Sequence, residues 1–142
     1  MAVLEVQNLR THFKTQRGFV KAVDGVSFEV EKAQALGLAG ESGCGKTTVA
    51  LSILRTLPTA GKILEGKLLF KGQNILDLSE DEFRDNIRWK GISIVFQGAM
   101  NSLSPVLKTG FQVAEPLVIH KKMQKNEAMA RAKELFKKVG LP

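Results

Sequence analysis

Nine consecutive residues, Gly40-Glu41-Ser42-Gly43-Cys44-Gly45-Lys46-Thr47-Thr48, limit what this chain can fold into more than any other stretch of it. They match the pattern G-x-x-x-x-G-K-[ST], a phosphate-binding loop. A triphosphate carries several negative charges, and a loop holds it by presenting many backbone N–H groups at once. Glycines let the main chain close around the phosphates with no Cβ in the way. Lys46 adds a cation that can reach the β- and γ-phosphates, and the Thr47 hydroxyl is placed to bind Mg²⁺. A helix starting at the end of the loop aims its N-terminus, equivalent to roughly half a positive charge, at the same spot. The flanks agree with that demand. Ala35-Leu36-Gly37-Leu38-Ala39 reads as a short buried strand, Thr48 to Leu57 reads as a helix, and Pro58 stops it.

The totals bound the rest. A chain of 142 residues is enough for one domain, and 25% charged with 44% apolar residues is ordinary for a globular protein. No apolar stretch is long enough to predict a transmembrane helix. Met1 to Arg10 alternates apolar with polar residues and contains Glu5, which predicts a strand and not a signal peptide. A single cysteine, Cys44, makes no internal disulfide, and a reducing cytosol is the simplest compartment. Net charge is +7, unevenly spread: His120 to Pro142 holds seven Lys or Arg against two Glu. Such a patch suits nucleic acid, an anionic surface or an acidic partner. No aromatic residues interleave with these cations as a base-stacking surface requires, so a solvated helix face is the favoured reading.

Along the chain, Leu4 to Phe13 predicts a strand, Gln16-Arg17-Gly18 a turn, and Phe19 to Val30 a second long strand with a turn or bulge at Asp24-Gly25. Lys62 to Lys71 predicts a strand pair broken near Glu65-Gly66, followed by a turn at Lys71 to Asn74. Ser79-Glu80-Asp81-Glu82 has the form of a capping box, so a helix starts there and runs to about Trp89, with Gly91 at its end. Ile92 to Phe96 predicts a strand, Gly98 to Pro105 a loop, and Gly110 to Ile119 a helix. Asn126 is a candidate cap for a last helix whose Ala128, Ala132, Leu135, Phe136 and Val139 recur at helical spacing before Gly140 and Pro142.

Three features resemble one family. Val95-Phe96-Gln97-Gly98-Ala99-Met100-Asn101-Ser102-Leu103-Ser104-Pro105 looks like the Q-loop of ABC-type ATPases. Gly25-Val26-Ser27-Phe28 looks like the strand before their phosphate loop, and Lys137-Lys138-Val139-Gly140-Leu141-Pro142 is similar to the helix end just upstream of their signature motif. The combination is most similar to ATP-binding subunits of dipeptide, oligopeptide and nickel importers, from near Met1 to Pro142. That resemblance implies an α/β fold of the P-loop NTPase type: an ABC-type nucleotide-binding domain. Residues 1–100 would supply a β-subdomain and part of a RecA-like core, and residues 101–142 the start of the α-helical subdomain. It implies ATP and Mg²⁺ as ligands, with Gly40, Glu41, Ser42, Gly43, Cys44, Gly45, Lys46, Thr47 and Thr48 around the phosphates. Lys46 would neutralise charge on the γ-phosphate, Thr47 would hold Mg²⁺, and Gln97 would reach that Mg²⁺ and the attacking water. Phe13 occupies the family's adenine-stacking position, nine residues before Ala22, with Phe19 as a rival and ordinary strand packing as the alternative. Implied partners are transmembrane permease subunits and a second ABC ATPase domain, identical or related. The implied location is cytoplasmic, on the inner face of the cell membrane.

The chain departs from the family pattern at Ala33-Gln34, usually Gly-Glu, and at Gln97-Gly98-Ala99, often Gln-Asp-Pro. Its residues hold no Leu-Ser-Gly-Gly-Gln signature, Walker B carboxylate or switch histidine. Asn74-Ile75-Leu76-Asp77 has too short an apolar run to substitute, and His12, His120 and Glu115 are not good catalytic candidates. The chain is therefore expected to be part of a longer polypeptide or to be completed by a second chain, and to be inactive alone. Two rival functions stay open: an ABC-type ATPase acting on nucleic acid, and a nucleotide-binding fragment without turnover. Direct nucleic-acid contact is not expected.

Overall fold

The alternating N-terminal pattern becomes the longest pairing in the molecule. β1 (Ala2–Thr15) and β2 (Gly18–Glu31) form an antiparallel hairpin, and Gln16-Arg17 closes it. Thr15 Oγ1 fixes the turn by donating to Gly18 O at 2.9 Å and accepting the Arg17 N–H at 3.3 Å. β3 (Gly61–Phe70) runs antiparallel on the other side of β1, and the two-residue β4 (Gln73–Asn74) folds back on β3, giving the order β2-β1-β3-β4. The computed structural model describes residues 2–96, 98 and 102–141.

Bulges bend this sheet. Leu9 pairs with Val26 and Arg10 with Asp24, so Gly25 is the extra residue, a bulge rather than a turn. The expected pair over Lys62 to Lys71 is the single strand β3, which ends at Phe70. Opposite the expected break, Asn8 and Leu9 of β1 face the single residue Gly66. Gly66 has φ +112°, and a Cβ there would stand 2.8 Å from the carbonyl oxygens of Gln7 and Asn8, so the bulge keeps the strand continuous only with glycine.

α1 (Lys46–Ile53) lies against β1 and β2. Its Val49 and Ile53 are buried, as are Val6, Leu9 and Leu68 of the sheet. A buried hydroxyl pair ties the two: Thr11 Oγ1 is 2.8 Å from Ser52 Oγ. Ser52 donates its proton to Thr48 O at 2.7 Å, so Thr11 is the donor of the pair. The helix ends earlier than Pro58. Arg55 takes φ +53°, with Arg55 N–H on Ser52 O and Thr56 N–H on Leu51 O, the Schellman pattern normally given to glycine. The Arg55 side chain explains why it is tolerated there. Its guanidinium donates to Leu78 O at 2.8 Å and Ile75 O at 3.2 Å, lies 4.9 Å from the Phe83 ring centroid and pairs with Glu80.

α2 (Glu80–Asn86) starts on the expected capping box. Ser79 N–H donates to Glu82 Oε2 at 2.9 Å, and Glu82 N–H donates to Ser79 Oγ at 3.2 Å. The Ser79 hydroxyl first, then its backbone N–H, hold the Glu82 carboxyl below the usual carboxylate range. The helix stops short of Trp89 because the N–H groups of Gly91 and Ile92 both turn back to Ile87 O, at 2.8 and 3.0 Å.

The chain divides into two compact units, one ending at Phe83 and one starting at Arg84. The second holds α3 (Thr109–Lys121) and α4 (Lys125–Lys138), which pack through Ala114, Ala128 and Ala132 with Val118, Leu117 and Met129 around them. α4 begins one residue before the expected cap Asn126, its first turn closed by Ala128 N–H on Gln124 O at 2.9 Å. Two predicted strands do not form. Ala35 to Ala39 is exposed and belongs to no sheet among the described residues, and Ile92 makes only an isolated bridge to Arg88. Beyond that bridge neither apolar run pairs with another strand among the described residues, and an apolar run without such a partner is not a strand.

Candidate functional site

The loop Gly40 to Gly45 joins the unpaired segment to α1. Gly40, Gly43 and Gly45 all have positive φ, and Cys44 N–H closes on Glu41 O at 3.3 Å. Gly45 caps α1 at φ +97°, with no side chain bonded to the first helical amides. A Cβ on Gly45 would lie 2.2 Å from Ala22 O, so β2 fixes the backbone at this point and leaves room for hydrogen alone. The Lys46 side chain folds back over the loop. Its Nζ donates to Gly40 O at 2.8 Å and Glu41 O at 2.7 Å, and lies 3.3 Å from Cys44 Sγ. A cation is thus held by neutral carbonyls at the start of a helix, beside amides that no side chain caps. That donor set fits a phosphate chain: anion oxygens can take both the ammonium and the amides.

Thr47 is exposed and Thr48 half-buried at the start of α1. Glu41, Ser42, Gly43 and Cys44 are exposed along the loop. Phe13 shares a face of β1 with Thr11, two residues away, whose hydroxyl bonds α1. Its ring covers Gly61, where a Cβ would come within 2.8 Å of it. Phe19 sits opposite Lys14, on the other face of the sheet, and is 68% exposed. Gln97 lies outside the described residues. Sequence reasoning passed over Arg55 and Gln112. Arg55 bonds main-chain carbonyls 20 and 23 residues away and Gln112 ones eight and five residues away, and no motif announces either.

A glycine-rich loop that caps a helix, with a lysine turned over its mouth, defines the class of phosphate-loop nucleotide-binding proteins. The comparisons narrow it. The family model described as ABC transporter matches residues 23–142. This chain belongs to the ABC transporter family. It is 48% identical over 141 residues to the dipeptide transport ATP-binding protein DppD of Lactococcus lactis, covering 99% of this chain and 40% of that protein. It is 41% identical to the oligopeptide transport ATP-binding protein OppD of Bacillus subtilis, covering 99% and 39%. The chain therefore spans about 40% of the length of these relatives. Among solved structures, a dimeric bacterial ABC transporter cassette, MJ0796, superposes with a TM-score of 0.80 at 25% identity, over 98% of this chain and 58% of that one. The fold is the N-terminal portion of an ABC ATPase cassette.

Proposed function

We propose that this chain binds Mg·ATP through Gly40 to Thr48 and, within a longer ABC ATPase, drives import of peptides or similar solutes through a membrane permease. The observation that carries the reading is the Lys46 ammonium held 2.7–2.8 Å from two loop carbonyls at a glycine-capped helix start. Lys46 would hold the β- and γ-phosphates and offset charge in the transition state. The loop amides would bind the remaining phosphate oxygens, and the Thr47 hydroxyl would ligate Mg²⁺. Mg²⁺ held there would supply charge neutralisation to the phosphates. Gln97 would sense that ion and the attacking water. Phe13 is the better adenine platform of the two phenylalanines, because it shares the sheet face that carries α1.

Residues 1–100 are assigned to the β-subdomain and first part of the core, and 101–142 to the start of the helical subdomain. The relatives' names support a transport role, and the dimeric neighbour supports a second ATPase domain as partner. Among the described residues no helix is long and apolar enough to cross a membrane, which suits a peripheral subunit on the cytoplasmic face. Lys46→Ala tests the site by titration with a fluorescent ATP analogue and Mg²⁺. Losing one charge-assisted contact should weaken binding about 10- to 100-fold. Unchanged affinity would remove the assignment. Gln97→Ala should leave binding nearly intact while impairing transport; collapsed binding would refute its proposed role.

A further inference from the structure

Within the second compact unit, a cavity of about 200 Å³ opens between α3 and α4. Phe111 and Ile119 of α3 and Met129 of α4 wall it, and the buried Ala114 is small enough to leave it room. Two side chains of opposite charge also line it, Glu115 of α3 and Lys125 at the start of α4. Both are exposed, and among the described residues neither is paired with an opposite charge. The Lys125 ammonium instead rests 5.8 Å from the centre of the Phe111 ring. That contact holds the cation at the cavity and leaves it without a counter-charge.

An amphipathic face that packs on further chain is the plain reading, but the charges argue against it. A helix seated there would take an unpaired carboxylate and an unpaired ammonium out of water, which only matching charges in good geometry can offset. A small ligand that carries both charges itself meets that demand. Apolar walls beside one carboxylate and one ammonium fit a zwitterion with an aliphatic side chain. The volume lies below the roughly 300 Å³ at which pockets for drug-sized ligands begin, so it suits a single residue and not a peptide.

We infer that this cavity is a binding site for a free apolar α-amino acid of about leucine size. Glu115 accepts from the ligand's ammonium, Lys125 donates to its carboxylate, and the aliphatic side chain enters between Phe111, Ile119 and Met129. Neither the nucleotide reading nor the transport reading is needed for it.

The test uses the full-length subunit and titration calorimetry with L-leucine, N-acetyl-L-leucine, L-leucinamide and glycine. Leucine should bind, and the other three should each bind about ten-fold or more weakly, the scale of one lost charge-assisted contact or of one aliphatic side chain. Glu115→Gln should weaken leucine about ten-fold and remove its advantage over N-acetyl-leucine, while its advantage over leucinamide persists. Lys125→Met should do the reverse. Both are exposed changes, so the melting temperature without ligand and the dissociation constant for an ATP analogue should stay close to wild type. No leucine binding by the wild type overturns the inference, and that is the result if another part of the longer chain fills the cavity. Equal affinity for all four ligands overturns it too, as does wild-type selectivity in both variants. A wild type that binds leucine selectively but no ATP analogue sinks the phosphate-loop reading and leaves this inference standing.

Discussion

β3 and the segment Ala35 to Ala39 are both rich in aliphatic residues, and they lie on either side of α1 in the sequence. Leu68 of β3 is fully buried, while Leu36 and Leu38 remain 46% and 44% exposed. The difference is the company of main chain. β3 has β1 on one edge and β4 on the other, so its polar groups are paired and its side chains can leave water together. Ala35 to Ala39 has no such neighbour among the described residues. The phosphate loop hangs between these two conditions. One end comes off the unpaired segment, and the other is pinned at Gly45 against Ala22 of β2. The pinned end is where the structure holds the site's shape.

Exchanging the pinned glycine of the loop and the glycine of the unpaired segment should give the largest effect. Gly45→Val puts a branched Cβ into Ala22 O at a left-handed φ, and should cost about 3 kcal/mol or more in a urea melt and remove ATP-analogue binding. Gly37→Ala meets nothing within 4 Å and has no positive φ, so it should change stability by less than about 0.5 kcal/mol. Similar losses at both positions would show that the pinned end and the unpaired segment are equally constrained, and the contrast would fail.

Core truncation sharpens the same contrast. Leu68→Ala should cost about 2–5 kcal/mol, because it opens a cavity in the buried sheet face. Leu36→Ala in this 142-residue chain should cost less than about 0.5 kcal/mol. Hydrogen exchange gives an independent reading: amides of β1 should be protected, and those of residues 35–39 should exchange early. In a protein as long as the relatives, the extra chain can supply partners for that segment, and the same amides should then slow. Equal protection of both segments in the short chain would contradict the contrast.

Arg55 separates a strained backbone from the contacts that justify it. Arg55→Ala keeps the unfavourable φ and loses bonds to two carbonyls, for a cost of about 2 kcal/mol. Arg55→Gly loses the same bonds but relaxes the backbone, so it should cost about 1 kcal/mol less than the alanine. A glycine variant no better than alanine would mean that the positive φ carries no strain.

Features written in local order were legible in the sequence: the phosphate loop, the hairpin of β1 and β2, the Ser79–Glu82 capping box, and α3 and α4. Each depends on residues within a few positions of one another. The failures share one cause. Apolar content predicted strands at 35–39 and 92–96, but a strand exists only through a partner, and a partner's presence is not encoded in the run itself. The bulge opposite Gly66 was misread as a break between two strands, because a glycine within an apolar run signals both. Arg55 in a glycine's conformation and the Gln112 hydrogen bonds were invisible, since their reasons lie in carbonyls reached only after folding. At the site, the motif located the loop and Lys46, but not the Ala22 contact that restricts Gly45.

The smallest effect belongs to the capping box, whose partners are local and solvated. Because hydrogen bonds from Ser79 lower the Glu82 pKa in the folded state, the contribution of Glu82 to stability is fully present above its unfolded pKa. It is lost as pH falls through the lowered folded value. The stability gap between wild type and Glu82→Gln should therefore be widest near neutral pH and close below the carboxylate range. Glu80 and Asp81 are acidic neighbours in the same first turn, so the comparison must be a difference between variants at each pH and not a single melt. Ser79→Ala removes the hydroxyl and leaves the backbone donor, so the gap should shrink in that background without vanishing. A gap of constant size from neutral to acidic pH would mean that the Glu82 charge contributes nothing to starting α2, and that the helix is held by Phe83, buried one position further on.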